Sequence, residues 1–243
     1  MRVDAIALNL RPRSMFEATD LGVRLVQVHA RSIWRSFAPV YLLCLALVAC
    51  SVLWAAWLPV LLIFWLKPWF DRSLLFVLSR AVFGEETRFA DLWRARSTVW
   101  TGQWLSTLFV RRFSFWRAYT QPADQLEGQP RAAARLRRLQ LLRGRRGAAM
   151  AAWGAFANIE TVMLLGLYAL GAWFVPSGDL RHTMNWFSSI DGTPLALLQT
   201  LLYGAVVFVI EPFYVASGFA MYLNRRVELE AWDVEQEFRR VFA

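Results

Sequence analysis

Residues 201–226 read LLYGAVVFVIEPFYVASGFAMYLNRR, and this stretch decides the fold. Before Arg225 its only charged residue is Glu211, and it is longer than the ~20 apolar residues with which a helix crosses a bilayer. Glu211 and Pro212 lie at its centre, where a carboxylate in hydrocarbon costs about 3 kcal/mol and proline removes a backbone donor. The stretch predicts a membrane helix whose centre must be stabilised by other parts of the protein.

The rest of the chain has the composition of a membrane protein. Of its 243 residues, 57% are apolar and 19% are charged, whereas soluble domains are about half apolar and about a quarter charged. Residues 36–66 carry no charge, and residues 148–178 carry only Glu160. Because both runs exceed the length of a membrane span, we predict an all-α integral membrane protein.

The positive charges are clustered along the sequence. The net charge of +9 includes 26 Arg and a single Lys, and Arg181 is the only Arg between Arg146 and Arg225. This clustering follows the positive-inside rule, which explains it better than nucleic-acid binding does. The N-terminal segment shows no apolar core or cleavage site of a signal peptide. We therefore predict no nucleic-acid partner and place both termini in the cytoplasm.

The charge pattern divides residues 1–243 into seven segments of a single membrane domain. We predict a cytoplasmic or interfacial stretch (1–37), a hydrophobic hairpin or re-entrant pair (38–83), basic cytoplasmic interfacial helices (84–147), a membrane helix (148–175), a periplasmic loop (176–192), a second membrane helix (193–223) and a cytoplasmic amphipathic helix (224–243). The sequence leaves open whether the hairpin, with Pro59 near its centre, spans the bilayer or re-enters. The basic amphipathic stretch 16–37 either lies along the membrane interface or packs on another protein segment.

Five charged residues fall within or beside the apolar segments: Glu160, Glu211, Lys67, Asp71 and Arg72. Lys67 and Asp71 are four residues apart and share a helix face. A pair between either glutamate and Lys67 or Arg72 would lock the helices together, and we favour this interpretation. The alternative is a proton or cation path through the two glutamates, but the paired broken helices of many transporters are not evident.

Small residues follow Pro212 in the last membrane helix. Ala216 and Gly218 lie close together in the sequence ASG, and such residues let two helices approach closely. Proline also opens the preceding helical turn. Pro212, Ala216 and Gly218 therefore predict a site of helix packing.

An arginine-rich segment precedes the first of the two membrane helices. It contains Arg131, Arg135, Arg137, Arg138, Arg143, Arg145 and Arg146. We interpret it mainly as an anchor that fixes the topology of the next helix; contact with anionic lipid or with an acidic partner is the alternative. Within the chain, the acidic segment 224–243 is the obvious segment for it to contact.

Motifs that carry enzyme chemistry are missing. The sequence contains no HExxH, no GxSxG and no glycine-rich phosphate loop. His29 and His182 have no Cys or carboxylate at ligand spacing, and Cys44 and Cys50 fall in an apolar run where we expect reduced thiols. We expect no catalytic residue, no metal and no cofactor.

Four stretches resemble a group of uncharacterised bacterial inner-membrane proteins: LRPRSMFEATDLGVRL, VFGEETRFADLWRARSTVW, QLEGQPRAAARLRRLQLLRGRRG and EPFYVASGFAMYLNRRVELEAWDVEQEFRR. The resemblance implies a location in the bacterial inner membrane and contact with its lipids. The membrane region is similar to proteins encoded beside MoxR-type AAA ATPases, which implies a cytoplasmic AAA ATPase system as a partner. Some relatives continue into a soluble C-terminal domain, whereas this chain stops at Ala243.

Three functional hypotheses follow. We favour a non-enzymatic scaffold or assembly partner that presents cytoplasmic helices to another protein, which predicts dry, paired carboxylates. The first alternative is a small transporter or channel subunit that uses Glu160 and Glu211, which predicts a polar cavity that reaches Glu211. The second alternative is a lipid-interacting, membrane-shaping protein, which predicts helices that lie flat in one leaflet.

Overall fold

The computed structural model describes residues 13–101, 108–109, 113–173 and 192–230, and these residues form helices without any strand. The described α-helices are α1 (Met15–Val28), α2 (Ala30–Ala49), α3 (Leu58–Ala81), α4 (Phe89–Arg94), α5 (Arg117–Leu126), α6 (Arg131–Leu142), α7 (Arg146–Trp173) and α8 (Gly192–Glu230). A 3-10 turn at Cys50–Leu53 extends α2, and Ser97–Thr101 forms a short π-helical turn. The predicted all-α class is confirmed for these residues.

Three helical segments of the described chain are long and apolar enough to cross a membrane: Ala30–Leu53, Arg146–Trp173 and Gly192–Glu230. The last two correspond to the membrane helices predicted at 148–175 and 193–223. The helix α3 is also long, but Lys67, Asp71 and Arg72 lie in its middle. Residues 176–191 of the predicted loop and 231–243 of the predicted C-terminal helix lie outside the described residues.

The stretch predicted as one amphipathic segment, 16–37, is divided between two helices at His29. A capping box begins α1, because the Glu17 amide donates to Ser14 Oγ at 3.2 Å and the Ser14 amide donates to Glu17 Oε2 at 3.1 Å. The buried face of α1 packs on α8. This matches the second of the two interpretations, a helix packed on another protein segment, and α2 begins well before the predicted start of the hairpin.

The helix α8 forms the centre of the fold, since α1, α3, α5 and α7 all pack on it. Two glycines bring α1 and α5 into backbone contact with it. A Cβ on Gly22 of α1 would lie 2.5 Å from Ala216 O, and a Cβ on Gly218 of α8 would lie 2.5 Å from Ala118 Cβ of α5. Ser217 Oγ also donates to a backbone carbonyl of α1 at 3.2 Å. The small residues after Pro212 thus lie where α1 and α5 meet α8.

The helices α2 and α3 form a hairpin that packs on the first half of α8. Tyr41 donates to the carbonyl of Gly204 at 2.7 Å, and an aromatic cluster fills the space between the three helices. Its members are Phe37, Tyr41, Phe70 and Phe208. These contacts fix the position of α3 along α8, and with it the position of the charged residues of α3.

Large apolar side chains are exposed on the outer side of the bundle. On α7 they include Val162, Leu165 and Trp173, and the tip of the hairpin exposes Leu53 and Trp54. Only one residue of α7, Ala149, is fully buried. Exposed apolar faces of this extent mark contact with a membrane or with another protein.

Candidate functional site

Five charged side chains form a continuous series where α3, α5, α7 and α8 meet. We call them the charge network; in order they are Glu160, Lys67, Glu211, Arg117 and Asp71. Lys67 Nζ lies 2.5 Å from Glu160 Oε2 and 3.1 Å from Glu211 Oε2. Arg117 Nη2 lies 2.5 Å from Glu211 Oε1, and its Nε lies 2.9 Å from Asp71 Oδ2. The charges alternate in sign along the series, so each of the three inner groups has two neighbours of opposite charge.

The side chains at the two ends of the charge network differ in their exposure to solvent. The Glu160 side chain is 18% exposed, the Glu211 side chain is 2% exposed and Asp71 is fully buried. Removing charges from water is costly, and only good geometry with opposite charges offsets the cost. Lys67, Glu211 and Arg117 have that geometry. Asp71, at the buried end of the series, does not. Both Asp71 oxygens are inaccessible, and within the described residues neither accepts a hydrogen bond of good geometry, although Arg117 Nε is within ion-pair distance.

The five members of the charge network come from four helices. Lys67 and Asp71 lie one turn apart on α3, and Glu211 lies at the centre of α8. Arg117 is the first residue of α5, and its guanidinium also lies over the ring of Tyr214 at 5.1 Å from the centroid. The network therefore links the hairpin, α5 and both long helices.

A cavity of about 440 Å³ lies beside the charge network. Its charged lining residues are Lys67, Arg117, Glu160 and Glu211. Asp71 does not line it and is reached through its contact with Arg117. Aromatic residues dominate the remaining walls, and they include Phe113, Phe115, Trp153, Phe156 and Tyr214. The size and the mixture of apolar walls with a few polar groups are typical of small-ligand sites.

Arg72, the other cation predicted to pair with the glutamates, is directed elsewhere. Its Nη2 donates to the carbonyl of Thr98 at 2.9 Å, and its Nε donates to the carbonyl of Val99. Trp100 of the same turn donates to Ser73 Oγ at 2.9 Å. Arg72 thus joins the middle of α3 to the π-helical turn, while Lys67 and Arg117 contact Glu160 and Glu211.

Sequence reasoning missed Arg117. The residue lies in the segment 84–147, which we predicted to be interfacial because it mixes arginine with aromatic residues. One signal was available: Arg117 is the only charged residue in 113–123, FSFWRAYTQPA. A lone arginine in an apolar stretch, like a lone glutamate, needs a partner of opposite charge inside the protein.

The predicted basic segment lies against the acidic end of α8. Arg137 Nε donates to both oxygens of Glu127 at 3.2 Å, and its Nη2 donates to Glu230. Arg145 Nη2 donates to Glu228 at 3.0 Å. Burial disfavours the charged guanidinium, but the hydrogen bonds with Glu230 and Glu127 outweigh it and raise the pKa of Arg137.

The other predicted arginines have separate positions. Arg138 contacts Asp124 at 2.8 Å, and the guanidinium of Arg146 lies 6.0 Å from the ring of Trp116. Arg135 and Arg143 are exposed. The side chain of Arg131 lies outside what the structure describes. Three of the seven arginines therefore form ion pairs within the described part of the chain, and two extend into solvent.

The described residues contain no group of three or more His, Cys, Asp or Glu placed to hold a metal ion. No protein-family model matches the chain, and neither a curated protein nor a solved structure is significantly similar to it. The charge network and its cavity are therefore the features on which a function can be argued.

Proposed function

We propose that this chain is a non-enzymatic integral membrane protein that binds a small ligand in the cavity beside the charge network and moves it across the bilayer. The observation that carries the proposal is the cavity of about 440 Å³ whose wall includes Glu160 and Glu211. A pure helix lock needs paired charges but no open space next to them. Among the three hypotheses, the transporter or channel subunit is the one that requires such a cavity.

Several features support the membrane embedding that this function requires. Most exposed residues in the central parts of α2, α7 and α8 are apolar, and Lys67, Asp71 and Arg72 of α3 are buried in the bundle. Ionisable residues within membrane helices usually face a bundle interior or a cavity. If α3 crosses the membrane together with the three apolar segments, the chain crosses four times. Both ends of the described chain then lie on the same side, which agrees with the positive-inside distribution of arginine. We assign this side to the cytoplasm of a bacterial inner membrane.

The lining of the cavity favours an amphipathic ligand. Its rings provide contact area for an apolar body, while Glu160 and Lys67 offer a carboxylate and an ammonium to a polar group. Only one oxygen of Glu160 is bonded to Lys67, and Oε1 accepts no hydrogen bond from the described residues. The glutamate at the exposed end of the network is therefore the group best placed to contact a ligand.

The test is binding of three probes of similar shape to the full chain in nanodiscs, above binding to empty nanodiscs. The probes are tetraphenylphosphonium, tetraphenylborate and triphenylphosphine oxide. Ala157 lines the cavity, so Ala157→Trp should fill it, whereas Ala155 is exposed on the same helix and Ala155→Trp is the matched control. The proposal predicts that at least one probe binds the wild type and Ala155→Trp but not Ala157→Trp. Failure of all three probes to bind overturns it.

The cytoplasmic end of the protein supports a second candidate, the scaffold that presents helices to another protein. On α6, Leu136 is 63% exposed and lies next to exposed Arg135. An outward face that combines leucine with arginine suits a protein surface or anionic lipid headgroups. The resemblance to proteins encoded beside MoxR-type ATPases makes a cytoplasmic AAA ATPase system the first partner to test, by co-purification with and without Leu136→Glu. No observation favours the membrane-shaping hypothesis in particular.

A further inference from the structure

The charge network contains an odd number of charges. Its three carboxyl groups face two cations, so the five side chains carry one excess negative charge if all are ionised. An uncompensated charge is costly inside a membrane protein. In the described part of the chain the buried Asp71 forms an ion pair with Arg117 at 2.9 Å but accepts no hydrogen bond of good geometry. The network reaches neutrality when it holds one proton or one bound cation.

The proton has a defined place at the buried end. Asp71 and Glu211 contact the same guanidinium, since Arg117 Nε lies 2.9 Å from Asp71 Oδ2 and Arg117 Nη2 lies 2.5 Å from Glu211 Oε1. Two carboxylates this close disfavour ionisation of both. A proton held by Asp71 or Glu211 therefore removes the excess charge at the buried end of the network.

The exposed end of the network offers a place for the competing cation. Glu160 borders the cavity, and the rings of Trp153, Phe156 and Tyr214 line it nearby. Aromatic faces attract organic cations as well as providing apolar contact. A monovalent cation bound beside Glu160 would make the network neutral without the proton.

Titratable groups reach the charge network from five helices. The network itself contains Lys67 and Asp71 from α3, Arg117 from α5, Glu160 from α7 and Glu211 from α8, and the phenols beside it are Tyr41 of α2 and Tyr203 and Tyr214 of α8. Because the carboxyl groups of the network outnumber its cations, a proton that neutralises it is held by a carboxyl group.

We propose that the cavity binds monovalent amphipathic cations, and that each bound cation displaces one proton from the charge network to solvent. This inference rests on the ligand-binding function proposed above and specifies its ligand class. The charge balances, because one positive charge enters as one leaves. It also provides the coupling by which a proton gradient would drive export of the cation.

The test uses tetraphenylphosphonium and the wild-type chain in nanodiscs. Proton release into weakly buffered solution is measured with a pH indicator and compared with the amount of cation bound. We expect one proton per bound cation, and an affinity that increases about tenfold per pH unit where the free site is protonated. Triphenylphosphine oxide, which is uncharged, should release no proton.

Glu160→Gln tests the charge count. This variant removes the excess carboxylate, so proton release should be lost and the affinity for tetraphenylphosphonium should no longer increase about tenfold per pH unit. Glu85→Gln is the matched control, since that side chain is 58% exposed and pairs only with Arg80 in the described structure.

The outcomes separate the inference from the function on which it rests. Cation binding that is blocked by Ala157→Trp but releases no proton, or equal affinity for the neutral probe, overturns the inference and leaves the ligand-binding function standing. Failure of every probe to bind overturns both. The measurements on the wild type decide the question even if Glu160→Gln does not fold.

Discussion

Arg117 Nη2 lies 2.5 Å from Glu211 Oε1, and this contact joins the first residue of α5 to the centre of α8. It accounts for a carboxylate in the middle of an apolar helix, because Glu211 also lies 3.1 Å from Lys67 and thus has a cation at each oxygen. The same contact brings the interfacial part of the chain into the interior, where the cavity lies.

Arg117→Met should strongly destabilise the protein. The substitution leaves Asp71 and Glu211 buried next to each other without the shared cation, and breaking a buried pair costs about 3–5 kcal/mol. The thermal denaturation midpoint of the purified protein in mild detergent is the measurement. Arg135→Met, at an exposed position, is the control. Equal midpoints for the two variants would show that the contact does not stabilise the fold.

Glu211→Gln and Glu211→Leu should differ in effect. Glutamine keeps a carbonyl that accepts from Lys67 or Arg117, so we expect a loss of about 1–3 kcal/mol. Leucine leaves both cations without their central partner, and we expect a loss of about 3–5 kcal/mol. The amount of folded protein in the membrane and the denaturation midpoint measure both. If both variants accumulate and denature like the wild type, the pairing at Glu211 has no structural role.

Gly218→Ala and Gly22→Ala test the close contacts of α8 with α5 and α1. In each case the new Cβ would lie 2.5 Å from atoms of the neighbouring helix, and overpacking of this kind costs about 1–3 kcal/mol. Gly166→Ala is the matched control, because nothing lies within 4 Å of its Cβ position. We expect the control to be neutral or slightly stabilising. A control that loses as much stability as the other two would mean that helix contact is not the cause.

Arg137→Gln should weaken the contact of α6 with the C-terminal end of α8. Arg137 donates to Glu127 of the loop after α5 and to Glu230 at the end of α8, and its replacement leaves both carboxylates with fewer partners. Hydrogen bonds to charged groups contribute about 1.5–3 kcal/mol. Limited proteolysis of α6 should therefore be faster than in Arg143→Gln, an exposed control. Identical cleavage rates would argue against this role for the ion pairs.

The elements that the sequence predicted best are those that depend on a single run of residues. The helices α7 and α8 follow from long apolar stretches that carry a single charged residue each, Glu160 and Glu211. The division of 16–37 at His29 was not predicted, because no proline or glycine marks it. Close approach at Gly22 depends on a pair of segments nearly two hundred residues apart, which a single sequence does not reveal.

The candidate site was predicted in part. Glu160, Glu211, Lys67 and Asp71 stood out because charges are rare in apolar segments. Arg117 did not, because an arginine that faces the interior looks like one that faces lipid headgroups when both lie among aromatic residues. The cavity depends on side-chain volumes from four separate elements, and no local pattern encodes it.

The central claim is that the cavity beside Glu160 is a binding site, and photocrosslinking tests it most directly. A photoreactive azido derivative of tetraphenylphosphonium is crosslinked to the protein in nanodiscs, and the modified peptides are mapped by mass spectrometry. We predict adducts in residues 153–161 of α7 and 113–117, and their loss in Ala157→Trp but not in Ala155→Trp. Adducts confined to the hairpin tip or unaffected by Ala157→Trp would contradict the claim.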